Sequence, residues 1–98
     1  MIVFSKPIQF DWNEGNADKN RIKHEVTTHE VEEVFFDPKK IIYKDVFHSE
    51  KEERYILIGK TKSNRLLYTV FALRDPKIRV ISSRDINKKE VPLYEKQA

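Results

Sequence analysis

Leu66-Leu67-Tyr68-Thr69-Val70-Phe71-Ala72-Leu73 is almost wholly apolar, and the fold turns on how that stretch is read. A strand with one wet face alternates apolar and polar residues, whereas a near-continuous apolar run marks a strand covered on both faces. Residues 66–73 therefore read as the central strand of a sheet. Tight-turn sequences flank it, Lys62-Ser63-Asn64 on one side and Asp75-Pro76-Lys77 on the other. Beyond them Tyr55–Gly59 and Ile78–Ser82 read as its neighbours, and Ile41–Phe47 as a further strand, which makes an antiparallel meander.

Before Pro38 the period is helical. Thr27 and Glu30 stand in capping-box spacing, with Val26 and Val31 placed to staple the box. Val31, Val34 and Phe35 then give an inward face at i, i+3, i+4, and Asp37-Pro38 stops the helix. Asn13–His24 reads as an earlier, polar helix whose stripe of Ala17, Asn20, Arg21 and His24 is poor in apolar residues. Such a helix is lightly buried, or one of its polar faces is used. The break between the helices is short, so they are expected to pack as a hairpin. Ile8 and Phe10 alternate with Gln9 and Asp11 as a short strand leading into Trp12.

At the far end Asn87–Lys96 reads as a short helix with Asn87 as its cap. Pro92 costs about 3 kcal/mol inside a helix unless it lies in the first turn, so this helix should start late, kink or be irregular. The reading is a single α+β domain over residues 1–98: two N-terminal helices packed on an antiparallel meander, with a short C-terminal helix. Two helices cover one face of the sheet. Something else must shield part of the other.

Ninety-eight residues, 39% hydrophobic and 36% charged, suit one modest core and an ionic surface. No apolar run approaches the roughly 18 residues of a membrane span. No cysteine is present, which excludes a disulfide framework and thiolate chemistry. Residues 1–10 carry no pattern of a secretory leader, so a cytoplasmic protein is expected. The net charge is +3 and the isoelectric point near 9.1, a mild preference for a polyanionic partner. Phe47–Glu53 is acidic on balance and Arg74–Lys89 basic, so a basic patch should form late in the chain.

Several ordered fragments carry a family resemblance. They are Phe10-Asp11-Trp12-Asn13, then Lys19-Asn20 with Lys23-His24 and Val26, and Glu33-Val34-Phe35-Phe36-Asp37-Pro38. Next come His48-Ser49-Glu50, Glu53-Arg54-Tyr55 with Ile58-Gly59, Ile78 through Arg84, Lys88-Lys89-Glu90, and Tyr94-Glu95. From about Phe10 to Lys96 the chain resembles the BrnT ribonuclease toxins. Glu25 stands where that family commonly has glycine, and Val91-Pro92 where a basic helical pair is usual. The resemblance implies a RelE-like fold and RNA cleavage. It also implies neutralisation by a dimeric, DNA-binding antitoxin, BrnA, whose complex with the toxin acts on operator DNA through the antitoxin. That antitoxin is expected to cover the apolar sheet face.

Metal-independent RNA cleavage needs removal of the 2′-hydroxyl proton, stabilisation of charge on phosphorus, and protonation of the leaving 5′-oxygen. His24, His29 and His48 lie far apart without ligand spacing, so neither a metal nor another cofactor is expected. Arg79 and Arg84 are candidates for phosphate recognition, since guanidinium forks match phosphate oxygens. In a regular strand the two face opposite ways, and a strand end or bulge near Ser83 would bring them to one rim. Arg54 is a third candidate. Glu53 is a candidate base if burial raises its pKa. His24 is a candidate acid or base, its alternative being a histidine favoured by a helix C-terminus. His48 is held in reserve, and His29 reads as plain surface. Lys19, Lys23, Lys60 and Lys62 are candidate phosphate contacts, and Tyr68 a base-stacking residue or a core aromatic. Two other readings share the basic sheet: a non-catalytic nucleic-acid-binding module, and a degenerate toxin retained as a corepressor.

Overall fold

The apolar stretch lies in the middle of a five-stranded sheet. The computed structural model describes residues 4, 6–47, 52–74 and 76–96, without the side chains of residues 14 and 20–22. In chain order the elements are β1 (Gln9–Phe10), α1 (Glu14–His24), α2 (Thr28–Phe35), β2 (Ile41–Lys44), β3 (Arg54–Lys60), β4 (Leu66–Arg74), β5 (Lys77–Asp85) and α3 (Val91–Glu95). Across the sheet the order is β1-β5-β4-β3-β2. His48 and Asp75, singled out in the sequence, and the side chains of Asn20 and Arg21 lie outside the described residues.

β2 to β5 form the antiparallel meander read from the sequence. The sheet as a whole is mixed, because β1 runs parallel to β5 with Gln9 opposite Lys77 and Phe10 opposite Ile78. β2 stops at Lys44, short of the expected Phe47, where the Asp45 N–H bonds the Arg54 carbonyl at 2.8 Å and the chain turns. β5 outruns its expected end. Ser82 pairs with Val70 and Val80 with the next residue, Phe71, so Ile81 is the extra residue of a β-bulge.

On one face Val26, Val31, Val34 and Phe35 bury themselves against Leu57, Leu67, Phe71, Ile78 and Val80. Phe35 meets Phe71 edge-on with centroids 5.2 Å apart, a favoured arrangement of ring quadrupoles. α2 crosses β3 at Gly59, where a Cβ would come within 2.8 Å of the Val34 carbonyl oxygen. Thr27 and Glu30 close the capping box as their spacing predicts. The two helices touch each other less than they touch the sheet: α1 leans on β5 and α2 on β3, so the expected hairpin is loose.

Cover for the other face comes in part from the chain itself. Tyr94 of α3 packs with Ile56 and Ile58, flanked by Ile41, Leu66, Tyr68, Val70 and Ile86. Its hydroxyl donates to Asp37 Oδ2 at 2.6 Å, and the same oxygen accepts the Lys60 N–H at 2.8 Å. Burial pushes the Asp37 carboxyl up, but these bonds and the Lys39 N–H outweigh it and leave the group below its ordinary pKa. α3 does start late, at Val91, with Pro92 in its first turn where no N–H is missed. The backbone N–H groups of Asn87 and Glu90 each donate to the other's side chain at 3.0 Å, so Asn87 caps the turn ahead of the helix rather than the helix.

α1 is fixed at both ends. Asn13 and Asn16 cap it reciprocally, at 2.6 and 2.9 Å. The Asn16 amide donates to the Asp11 carbonyl at 2.9 Å and the Val80 carbonyl at 3.3 Å, stitching the helix to the β5 edge just past the end of β1. At the other end the chain keeps a left-handed turn although glycine is absent, and Glu25 carries it with φ 54°. Arg65 braces that turn by donating to the His24 and Glu25 carbonyls at 3.2 and 2.9 Å.

Candidate active site

Register places the functional side chains. Arg54 of β3 lies opposite Ala72 of β4, and Ala72 opposite Arg79 of β5, so the three form one row across the sheet. Their chain neighbours Tyr55, Phe71 and Val80 belong to the helix-side core, so the row lies on the other face. Two strand spacings, roughly 10 Å, separate the two arginine backbones, with the fully buried Ala72 on the strand between them. Arg74 follows Ala72 by two residues and Glu52 precedes Arg54 by two, the spacing that keeps a residue on the same face.

The N-terminus of α1 closes the edge of this arrangement. Asn13, Gly15, Asn16 and Lys19 join Glu52, Arg54, Arg74 and Arg79 around a cleft of about 360 Å³. Four cationic side chains thus line it, with Glu52 the carboxylate among the lining residues. The positive end of the α1 dipole adds to the same field. The ion pairs here are long: Arg79 Nη1 to Asp11 Oδ2 is 3.5 Å, and Arg74 Nη2 to Glu52 Oε1 is 3.3 Å. The Arg74 and Arg79 guanidinium groups can thus turn to an anion at low cost, since the contacts displaced are long.

The structure thus brings together Arg54, Arg79 and Lys19 of the residues singled out in the sequence, and adds Glu52 and Arg74. The period-of-two rule applied outward from Arg54 and Ala72 would have found both. The remaining candidates stand elsewhere. Glu53 projects into solvent, and the Lys44 ammonium at 3.0 Å and the Tyr55 hydroxyl at 2.9 Å hold its carboxyl below the ordinary range. A base raised by burial is not what Glu53 is. His24 ends α1 beside Asp85, eleven residues and roughly 16 Å along the helix from Asn13. Lys23 is exposed on the same helix. Lys60 lies over the Tyr94 ring at 5.7 Å, at the end of β3 opposite Arg54. The Lys62 N–H bonds Glu33 at 3.1 Å, again away from the cleft.

Arg84 shares a face with Arg79 because the bulge at Ile81 shifts the alternation by one residue. It does not reach the cleft. Its guanidinium lies 4.1 Å over the Tyr68 ring and forms a bidentate pair with Glu90 at 2.9 and 2.7 Å. Nearby, burial and the Tyr68 hydroxyl push the Tyr43 hydroxyl up to about 12.

Among the described residues no group of three or more His, Asp or Glu side chains is placed to hold a metal ion. None of the described helices is long and apolar enough to cross a membrane. The family model described as ribonuclease toxin, BrnT, of type II toxin-antitoxin system matches residues 12–90. A comparison with curated proteins gives no match.

Proposed function

Because the chain belongs to the BrnT family of ribonuclease toxins of type II toxin–antitoxin systems, we propose that it cuts RNA in the cleft between Arg54 and Arg79. The observation that carries this reading is the cleft itself, in which Arg54 and Arg79, aligned across the sheet in one row, meet Arg74, Lys19 and the N-terminus of α1. A phosphate seated in the cleft is held by Arg54 and Arg79, and Lys19 with the α1 N-terminus holds a neighbouring phosphate. Glu52, beside Arg74, accepts the proton of the 2′-hydroxyl, the role that sequence alone offered to Glu53 or His24. The 2′-oxygen bonds to phosphorus, the P–O5′ bond breaks, and the leaving oxygen takes its proton from water. Charge gathering on the phosphoryl oxygens meets the two arginines, whose contribution is largest in the transition state.

A metal-independent reaction fits a site built from guanidinium groups and one carboxylate. The membership implies an antitoxin partner and an RNA substrate. The finer assignment, a dimeric BrnA-like DNA-binding antitoxin that brings the toxin to operator DNA, rests on the family resemblance. Purified protein should cut single-stranded RNA in the presence of a chelator, leaving 2′,3′-cyclic phosphate and 5′-hydroxyl ends. Arg54→Ala and Arg79→Ala should each slow cleavage on the order of 10²-fold or more. Chelator-sensitive cleavage with 5′-phosphate products overturns the mechanism. RNA binding with no cleavage by the wild-type chain supports the non-catalytic binding module instead.

A further inference from the structure

The Arg84 cluster is built too well to serve only as a brace, and it points the wrong way for a phosphate clamp. Glu90 takes both arms of the Arg84 fork, so the cation is neutralised in the plane of the guanidinium. Tyr68 supports that plane from below at 4.1 Å. Tyr68 is itself fixed, since its partner across the β4–β5 ladder is Arg84 and its hydroxyl neighbours Tyr43. The Arg84 side chain nonetheless keeps 35% of its surface exposed, whereas Glu90 keeps 15%. A planar, edge-satisfied, ring-backed guanidinium offers one thing to a ligand, a flat outer face.

We propose that the Tyr68–Arg84 pair is a base-stacking subsite, on which one nucleobase of the RNA lies against the outer face of the Arg84 guanidinium. Single-stranded RNA is recognised by splayed bases stacked on aromatic rings or on arginine planes. Tyr68 and Ala72 are four residues apart on one face of β4, roughly 13 Å. The stacked base is therefore not that of the attacked nucleotide. It lies up to about four nucleotides along the strand, counting roughly 3.4 Å for each stacked nucleotide. This inference rests on the ribonuclease reading and assigns to that site a second point of grip, which reads ring shape rather than charge. Lys88 and Lys89, exposed on the turn ahead of Glu90, border it with positive charge.

The test uses a ten-nucleotide RNA with 2′-O-methyl groups throughout, which cannot be cut by 2′-hydroxyl attack, carrying 2-aminopurine at each position in turn. Stacking changes the emission of that base. With the wild-type chain one position should change on binding, and Arg84→Lys, which keeps the charge but not the plane, should abolish that signal and weaken binding about tenfold. Glu90→Gln should also weaken binding, because the fork loses the partner that holds it flat. Thermal unfolding of each variant separates lost binding from lost fold. Tighter binding and a steeper salt dependence in Glu90→Gln would make Arg84 a phosphate clamp and overturn the proposal. So would a stacking signal that survives in Arg84→Lys, or the absence of any signal that depends on Arg84. Failure of the ribonuclease reading looks different: the wild-type chain then neither binds this decamer nor cuts its unmodified counterpart.

Discussion

At one end of the sheet Arg65 reaches partners in three elements; at the other, Arg79 lies 3.5 Å from Asp11. Arg65 bonds Asp85 with two nitrogens at 2.6 and 3.0 Å, Glu30 at 3.0 Å, and the carbonyls of His24 and Glu25. Those bonds tie the end of α1, the first turn of α2 and the end of β5 to the turn before β4. The cleft does the opposite. There Arg74 and Arg79 make long contacts with Glu52 and Asp11, and like charges crowd beside a helix N-terminus. Short, multiple bonds mark the arginine that holds this molecule together, whereas the contacts described for Arg74 and Arg79 are long. Residue type distinguishes neither group.

Crossed substitutions break that comparison most sharply. Arg79→Ala should lose on the order of 10² to 10³ in cleavage rate, with a melting temperature within a few degrees of wild type. Arg65→Ala should cost about 2–4 kcal/mol of stability by stranding Glu30 and Asp85, while any protein that stays folded keeps its cleavage rate. Equal loss of stability in both, read by urea titration, would erase the distinction. Gly59→Ala comes next, at about 1–3 kcal/mol, because the added methyl meets first the Val34 carbonyl oxygen of the α2 backbone at 2.8 Å.

Acid sharpens the comparison further. The Arg65 bond holds Asp85 below its ordinary pKa despite burial, and in Glu30 the Thr27 N–H and Arg65 outweigh the upward push of burial. Both carboxyls bind a proton less readily folded than unfolded. Their stabilisation is complete above the unfolded values, about 4, and is lost as pH falls through the lower folded values. The stability gap between wild type and Arg65→Ala should therefore narrow from pH 7 to about pH 3. The smallest effect is a gain. Glu25→Gly relieves the left-handed backbone and should stabilise the chain by up to about 1 kcal/mol, seen as a small rise in melting temperature.

The sequence showed clearly what local pattern controls. The capping box of Thr27 and Glu30, the meander around residues 66–73 and the late start forced by Pro92 each depend on residues within a few positions of one another. What it hid depends on long separations. β1 and β5 pair across some seventy residues, and that edge made the sheet mixed. The bulge at Ile81 decides which face Arg84 takes, and nothing in Ile78-Arg79-Val80-Ile81-Ser82-Ser83-Arg84 announces it beyond the length of the run. Glu53 is the carboxylate that the sequence sets beside Arg54, yet counting in twos from Arg54 places Glu52 on the cleft side. Arg65 was overlooked because a lone arginine after a turn carries no signal until its partners are folded against it.

Ile81 also gives β5 slack. Removing one residue at that point leaves a regular ladder in which Val80 still faces the helices and Arg79 and Arg84 still share the opposite face. The same deletion within β4 has no such reserve and would carry half of that strand's side chains through the sheet. The four residues of β4 between Ala72 and Tyr68 thus set the spacing of the cleft and the Tyr68–Arg84 pair, and the loss of one residue from β5 leaves it unchanged. In this molecule β4 is the ruler against which both sites are measured, and β5 carries the spare residue.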